Sequence, residues 1–143
     1  VLANEGTLVV AYAMDHETDV SSEAAWRATS HEENALVVFS GASAHFFGPP
    51  NNEAFHGHPL AKRGLGPYGA YEVLSSSWIR EMERRNRVHP GHDVGRYLAA
   101  RRHFVLSFHD STFECVARSY VARVVHIPYA EIASAMQDLL GAR

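Results

Sequence analysis

The residues best suited to chemistry lie in the segment HFVLSFHDSTFECVAR, residues 103–118. His109 stands next to Asp110, and a neighbouring carboxylate can orient an imidazole and favour its charged form for proton transfer. Glu114 follows in the second half of the segment and supplies another carboxylate. These residues predict acid–base catalysis by His109, Glu114 and Asp110, although Asp110 also fits the simpler role of a turn former.

The same segment is predicted to form a β-hairpin, because apolar and polar residues alternate along both of its arms. With a turn at Asp110–Ser111, Leu106 faces Cys115 and the two arms share an apolar side. Ser107 then faces Glu114 on the polar side. Cys115 is the only cysteine, and its place on the apolar side predicts a buried structural thiol instead of a nucleophile.

Ten histidines are scattered over 143 residues, and two of them, His56 and His58, flank a glycine. In an extended segment, residues two apart point the same way, so both imidazoles could hold one divalent metal ion. The third ligand of such a site would be His45, Glu72, His109 or Glu114. A divalent metal is therefore a candidate cofactor, and packing within a loop is the alternative role of the pair.

These two histidines belong to a segment at about 48–69 that carries four of the six prolines. Its spaced apolar residues indicate a long ordered loop, and such loops often line binding sites. We expect this loop to lie over the polar side of the hairpin and to hold a small polar, in part anionic, substrate. The side chains assigned to substrate binding are Asn51, Asn52, Glu53, Arg63, Ser107 and Arg118.

The composition is that of an ordinary globular protein, with 46% hydrophobic residues and one cysteine. A chain of this length fits a single domain. Its longest apolar runs are too short to cross a bilayer, and a lone cysteine cannot form an internal disulfide. We therefore expect a cytoplasmic protein that does not associate with membranes.

Charge is divided unevenly along the chain. Residues 1–61 carry eight acidic and one basic residue, whereas residues 62–143 carry twelve basic and eight acidic residues. Complementary halves can meet within one fold or across a homodimer. Seven arginines fall between Arg80 and Arg102, which indicates an anion site as a further interpretation. The net charge of -3 and the scarcity of aromatic residues among these arginines argue against a nucleic-acid partner.

Hydrophobic periodicity places the remaining elements along the chain. Capping side chains favour helices that begin near Trp78 and Val94, and Pro128 can begin a C-terminal helix. A polar, acidic insertion occupies about 15–34. Strands are predicted at 8–14, 35–40, 43–47, 71–74 and 119–127. The predicted class is α+β, with a mainly antiparallel, curved, half-barrel-like sheet, two or three helices, and the C-terminal helix packed on the sheet.

Several functions are compatible with these residues. The first is a small-molecule-binding domain or small enzyme that applies histidine and carboxylate acid–base chemistry to a small polar substrate. The second is a divalent-metal enzyme with histidine ligands. The third is a protein-interaction module of an inhibitor or immunity type, in which the acidic insertion supplies the binding face.

Overall fold

The computed structural model describes residues 1–14 and 33–141. Two short 3-10 helices, Phe55–Gly57 and Ala61–Arg63, lie in the segment predicted as a long loop. The described strands are β1 (Leu2–Ala3), β2 (Thr7–Ala13), β3 (Glu33–Ser40), β4 (Ala44–Gly48), β5 (Gly69–Val73), β6 (Arg102–Ser107), β7 (Thr112–Ala117) and β8 (Ser119–His126), and the α-helices are α1 (Ser77–Asn86), α2 (Val94–Ala99) and α3 (Tyr129–Gly141).

The strands and helices predicted for the described residues are present, with small differences at their ends. The acidic insertion predicted at 15–34 falls almost entirely outside the described residues, and only Glu33 and Asn34 of it are seen, as the start of β3. The role of that insertion as an interaction face therefore stays a prediction.

Contacts between Cα atoms divide the chain into two compact units. Unit 1 comprises residues 1–40 and 120–143, and unit 2 comprises residues 41–119. Each unit contains one four-stranded antiparallel sheet. The predicted α+β class with antiparallel strands is confirmed, and the strands are distributed over two sheets. The expectation of a single domain stays a prediction.

Unit 1 is built on the sheet β1-β2-β3-β8, against which α3 packs. Val9 and Leu36 of the sheet form a buried cluster with Ile132 and Met136 of the helix. These two helical residues are four apart and therefore lie on one face of α3. The predicted packing of the C-terminal helix on a sheet is thus confirmed. Among the described helices α3 is the longest, with 13 residues, and none has the length and hydropathy needed to cross a bilayer.

Unit 2 is built on the sheet β4-β7-β6-β5, with the predicted hairpin, β6 and β7, at its centre. Most residues of both strands are buried, so the side chains on both faces of the hairpin are covered. Helix α1 is capped by Ser76, whose Oγ accepts the Ile79 N–H at 3.2 Å. Helix α2 is capped in the same way by Asp93, whose Oδ1 accepts the Arg96 N–H at 2.8 Å.

The hairpin turn lies one residue earlier than predicted. The N–H of Phe108 donates to the carbonyl oxygen of Ser111 at 2.8 Å, so the chain reverses at His109–Asp110. The predicted turn at Asp110–Ser111 was therefore wrong. Both dipeptides contain the aspartate that favours turns, so local composition does not distinguish them.

This difference shifts the pairing of the two strands by two residues. Leu106 faces Phe113, and Phe104 faces Cys115, whereas the predicted register had placed Leu106 opposite Cys115. Because side chains alternate between the faces with a period of two, a shift of two residues leaves each of them on its predicted side. The apolar and polar sides of the hairpin are therefore as predicted, but the neighbours within each side are different.

Cys115 is fully buried in β7, and burial raises the pKa of its thiol to about 12. We expect iodoacetamide to leave the native protein unmodified at pH 8 and to modify the protein once it is unfolded in denaturant, because only the thiolate reacts. Intact-mass measurement of both samples distinguishes them. Rapid modification of the native protein would show that the thiol is accessible and would contradict its structural role.

Candidate functional site

Unit 2 contains a cavity of about 840 Å³. This volume is within the range of about 300–1,000 Å³ that is common for small-molecule sites. Nine of its seventeen lining residues are apolar, aromatic or glycine, and the other eight are polar or charged. The side chains that determine its character are Phe46, Leu60, Leu65, Tyr71 and Trp78 on the apolar wall, and His58, Ser76, His103 and Glu114 among the polar groups.

The sheet brings Glu114 and His103 together. Strand pairing places Phe46, Glu114, Val105 and Tyr71 in one row across the four strands, on the same face. His103 lies two residues from Val105 on β6 and is therefore a diagonal neighbour of Glu114. Its Nε2 atom lies 2.8 Å from Oε2 of Glu114.

A second histidine reaches the same carboxylate from the loop. His58 follows the 3-10 helix Phe55–Gly57, and its Nε2 atom lies 3.1 Å from Oε1 of Glu114. The backbone N–H of Leu60 donates to Nδ1 of His58 at 3.1 Å. Because a backbone N–H can only donate, Nδ1 must accept, and the ring proton of His58 lies on Nε2, directed at Glu114.

The hydrogen-bonded chain continues from His103 to the start of α1. Nδ1 of His103 lies 2.9 Å from Oγ of Ser76, the hydroxyl that caps the helix. The edge of the Trp78 ring contacts the His103 ring, with 5.2 Å between the centroids. Helix capping, ring packing and two hydrogen bonds thus fix the orientation of His103, while stacking on Phe55 fixes that of His58.

Glu114 is the most accessible member of this group. The side chains of His58 and His103 are 3% and 4% exposed, whereas that of Glu114 is 19% exposed. Burial alone would raise the pKa of the Glu114 carboxyl, but the hydrogen bonds from His103 and His58 lower it by more, so the pKa lies below its ordinary value of 4.5. Glu114 is therefore an ionised and oriented carboxylate at neutral pH.

The long loop lies against the polar side of the hairpin, as expected. Besides the contact between His58 and Glu114, the Thr112 hydroxyl donates to the Pro50 carbonyl at 2.8 Å. The Ser107 hydroxyl, which is buried, donates to the Gly66 carbonyl at 2.8 Å. Ser107, predicted to bind substrate, is therefore engaged in holding the loop on the sheet.

The structure places the predicted catalytic pair His109 and Asp110 away from Glu114, at the tip of the hairpin. Their side chains are 68% and 91% exposed, and Nδ1 of His109 lies 2.8 Å from Oδ1 of Asp110. Neither residue lines the large cavity. Of the three predicted catalytic residues, only Glu114 does so.

The predicted substrate-binding residues are dispersed. Arg63 lines the large cavity, whereas Arg118 lines a smaller one. Asn51 accepts the Ala54 N–H through its side chain, and Asn52 donates its side-chain amide to the Tyr68 hydroxyl, so both stabilise the loop itself. Glu53 is exposed on the same loop and does not line the cavity.

The two predicted metal ligands point into different surroundings. His58 is buried against Glu114, whereas His56 is exposed, because a 3-10 turn replaces the extended segment that was expected. Across residues 1–14 and 33–141, no three histidine, cysteine, aspartate or glutamate side chains are arranged to hold a metal ion. The Nε2 proton of His58 also occupies the position from which that ring would bind a metal.

Sequence reasoning did not assign His103 and Ser76 to the site. In the predicted register, which pairs Leu106 with Cys115, His103 lies opposite Arg118 at the open end of the hairpin and is not a neighbour of Glu114. Ser76 was considered only among the side chains that cap the helix predicted to begin near Trp78. A turn placed at His109–Asp110 would have brought His103 beside Glu114 from the sequence alone, since diagonal neighbours follow from the register.

Glu83 is a buried carboxylate that stabilises α1 and the turn that follows it. Arg87 donates to it through Nε and a terminal nitrogen at 2.8 and 2.9 Å, and Nε2 of His92 lies 2.9 Å away. The hydrogen bonds from Arg87 and then His92 lower the pKa of Glu83 from 4.5 to about 2. Because the pKa is lowered in the folded state, Glu83 stabilises the fold fully above pH 4.5, and this contribution is lost as the pH falls towards about 2.

The variant Glu83→Gln is therefore expected to unfold at a lower temperature than the wild type at pH 7, and this difference is expected to shrink as the pH falls from 4.5 to 2. Thermal unfolding followed by circular dichroism over that pH range measures it. Its neighbour Glu81, whose side chain is 40% exposed, is the matched control, and Glu81→Gln is expected to have a much smaller effect. A constant difference between wild type and Glu83→Gln would contradict the ion-pair account.

Comparison of the chain with protein-family models, with curated proteins and with solved structures found no significant match. The chemistry of this site must therefore be inferred from its own residues.

Proposed function

We propose that unit 2 binds a small molecule in the large cavity and that Glu114 is its polar anchor. The observation that carries this proposal is the convergence of His58 and His103 on one carboxylate that still faces the cavity. Each oxygen of Glu114 accepts one imidazole N–H and keeps capacity for a further donor. A ligand with an amine, amide or hydroxyl group can supply that donor.

The free-energy cost of removing the Glu114 carboxylate from water is compensated by its hydrogen bonds, which favours a binding role for it. Burying a carboxylate is costly unless hydrogen bonds compensate for the lost water. Two buried histidines, each fixed by a further hydrogen bond and an aromatic ring, supply that compensation before any ligand arrives. Preorganisation of this kind reduces the cost of binding. The apolar walls next to it, with Trp78, Tyr71 and Phe46, suit the carbon skeleton or ring of the ligand.

The sequence predicts a small polar substrate, and such a molecule fits this proposal. Its donor group binds Glu114, and an anionic group of the same molecule contacts Arg63, which also lines the cavity. The pKa of Glu114 lies below 4.5, so the carboxylate is a weak base at neutral pH. Its primary role is therefore to accept a hydrogen bond or to hold a cation, and proton transfer to it requires an acidic ligand group.

A compound panel followed by NMR tests this proposal. Small aromatic amines, alcohols and carboxylates are added one at a time, and the indole N–H of Trp78 is observed together with the backbone amides around Glu114. Binding of donor-bearing compounds with shifts confined to the cavity is expected. The proposal fails if no compound shifts these signals, or if compounds without a donor bind equally well.

A hydrolytic enzyme is the second candidate, and one specific observation favours it. Ser76, His103 and Glu114 form a continuous chain, with 2.9 Å between Oγ and Nδ1 and 2.8 Å between Nε2 and Oε2. In that role Ser76 Oγ forms a bond to an acyl carbon while its proton passes to Nδ1 of His103, and Glu114 stabilises the imidazolium. The bond from the acyl carbon to the leaving group then breaks, and the imidazolium gives its proton to that group. Ser75, just before the serine, has a positive φ of 55°, a strained conformation that occurs at some active sites.

The helix-capping bond to Ile79 and the burial of Ser76 oppose this second function, because they reduce the freedom of the hydroxyl to attack. A fluorophosphonate probe decides between the two. If Ser76 is a nucleophile, the wild type is modified at Ser76 and Ser76→Ala is not. If the native protein is not modified at this residue, Ser76 acts only as a helix cap that orients His103.

A further inference from the structure

Most of the arginines between Arg80 and Arg102 are already paired. Arg84 and Arg85 contact Glu81, Arg87 contacts Glu83, and Arg102 contacts Glu72. Arg80 donates to the backbone carbonyl of Ser75 at 2.7 Å. Like Arg80, Arg96 and Arg101 form no ion pair with a carboxylate among the described residues.

Arg96 and Arg101 line the same small cavity, of about 200 Å³, and Arg118 lines it too. Among the described residues no carboxylate forms an ion pair with any of these three guanidinium groups. Asp93 is the one acidic residue of the lining, and its side chain is engaged in capping α2. The cavity therefore has an excess of positive charge that the fold does not neutralise.

The guanidinium group of Arg101 is held in place by Tyr97. Its guanidinium carbon lies 3.5 Å from the centroid of the Tyr97 ring, and a terminal nitrogen donates to the Tyr97 carbonyl at 3.0 Å. Its Nε–H is buried and has no hydrogen-bond partner among the described residues.

The side chain of Arg118, which lines this cavity, passes close to Gly41. A Cβ atom at Gly41 would lie 2.7 Å from Cγ and Cδ of Arg118, and Gly41 has a φ of +63°. Both features favour glycine, and the space that it leaves accommodates the aliphatic part of the arginine.

We infer that this second cavity, lined by Arg96, Arg101 and Arg118, binds a small oxyanion of the phosphate type. Its volume is below the range of about 300–1,000 Å³ that suits drug-sized ligands, so an ion or a single phosphoryl group fits better than a large molecule. Planar guanidinium groups match the geometry of phosphate oxygens. None of its lining residues is shared with the large cavity, so this inference does not depend on the function proposed there.

Titration of inorganic phosphate into the full chain tests the inference, with NaCl adjusted to hold ionic strength constant. Backbone amides of α2 and its flanks are followed by NMR. Saturable shifts are expected for the wild type, with the Kd raised about 10- to 100-fold in Arg96→Gln and Arg101→Gln, because charge-assisted hydrogen bonds contribute about 1.5–3 kcal/mol. Arg85→Gln, which removes the same charge from an arginine paired with Glu81, is expected to bind like the wild type.

Phenyl phosphate, titrated in parallel, distinguishes a free ion from a phosphoryl group on a larger molecule. Tighter binding of phenyl phosphate at the same amides indicates the larger molecule, and equal or weaker binding indicates the ion. Arg118→Gln, at an exposed position, replaces Arg101→Gln if the latter does not fold. The absence of saturation in the wild type overturns the inference, as does equal weakening in Arg96→Gln and Arg85→Gln.

Discussion

Replacing Glu114 with glutamine is expected to weaken the binding of a donor-bearing ligand to the large cavity by about 10- to 100-fold. Hydrogen bonds to a charged acceptor contribute about 1.5–3 kcal/mol, which corresponds to that change in Kd. The amide has nearly the same size and cannot carry the negative charge. Titration of the best compound from the panel, followed at Trp78, measures the change.

The variant Glu53→Gln is the matched control, since it makes the same chemical change at an exposed carboxylate outside the cavity. Its affinity is expected to equal that of the wild type. Equal affinity of Glu114→Gln and the wild type would mean that the ligand does not contact the carboxylate, and the proposed anchor would be wrong.

Glu114→Gln is also expected to change the proton position on one histidine. Leu60 donates to Nδ1 of His58, so His58 keeps its Nε2 proton and the amide oxygen must face it. The amide NH₂ then faces His103, which has to accept at Nε2 and carry its proton on Nδ1, towards Ser76. Nitrogen-15 shifts of the His103 ring report this change of tautomer without any ligand. Unchanged nitrogen-15 shifts of the His103 ring would indicate that Glu114 does not accept hydrogen bonds from both His58 and His103.

Replacing Phe113 with alanine is expected to cost about 3–5 kcal/mol of the free energy of unfolding. Phe113 is fully buried in the central strand β7, opposite Leu106, and its removal leaves a cavity that the surrounding strands cannot fill. The loss is large beside the total of about 5–15 kcal/mol that is typical of folded domains. Equilibrium unfolding in urea measures it.

Phe47 provides the comparison for this measurement. It lies directly opposite Phe113 on β4 but is 53% exposed, so Phe47→Ala is expected to cost about 1 kcal/mol or less. The contrast depends on burial and not on residue type. Similar losses for the two variants would show that Phe113 is no more buried than Phe47 and would contradict its place in the core.

The hairpin shows what could be predicted from the sequence and what could not. Alternation of apolar and polar residues correctly indicated two antiparallel strands with one apolar side, because the period of two is a local property. The turn could have been placed at either of two dipeptides that share Asp110. An error of one residue there shifts the pairing by two, which preserves the sides but separates His103 from Glu114.

The rest of the site depends on contacts that are distant in sequence. His58 and Glu114 are 56 residues apart, and Ser76 and His103 are 27 apart. The expectation that the loop lies over the hairpin named the correct surfaces. The sequence did not indicate which of His56 and His58 contacts the hairpin. In an extended segment both side chains point the same way, whereas in a 3-10 turn they point in different directions.

The measurement that tests the central claim most directly is an NMR titration of the Glu114 carboxyl carbon together with the ring nitrogens of His58. We predict that Glu114 titrates below pH 4.5, its ordinary value, and that at neutral pH the His58 proton lies on Nε2, with none on Nδ1. A Glu114 pKa above 4.5, or a His58 proton on Nδ1, would contradict an ionised carboxylate held between two imidazole donors.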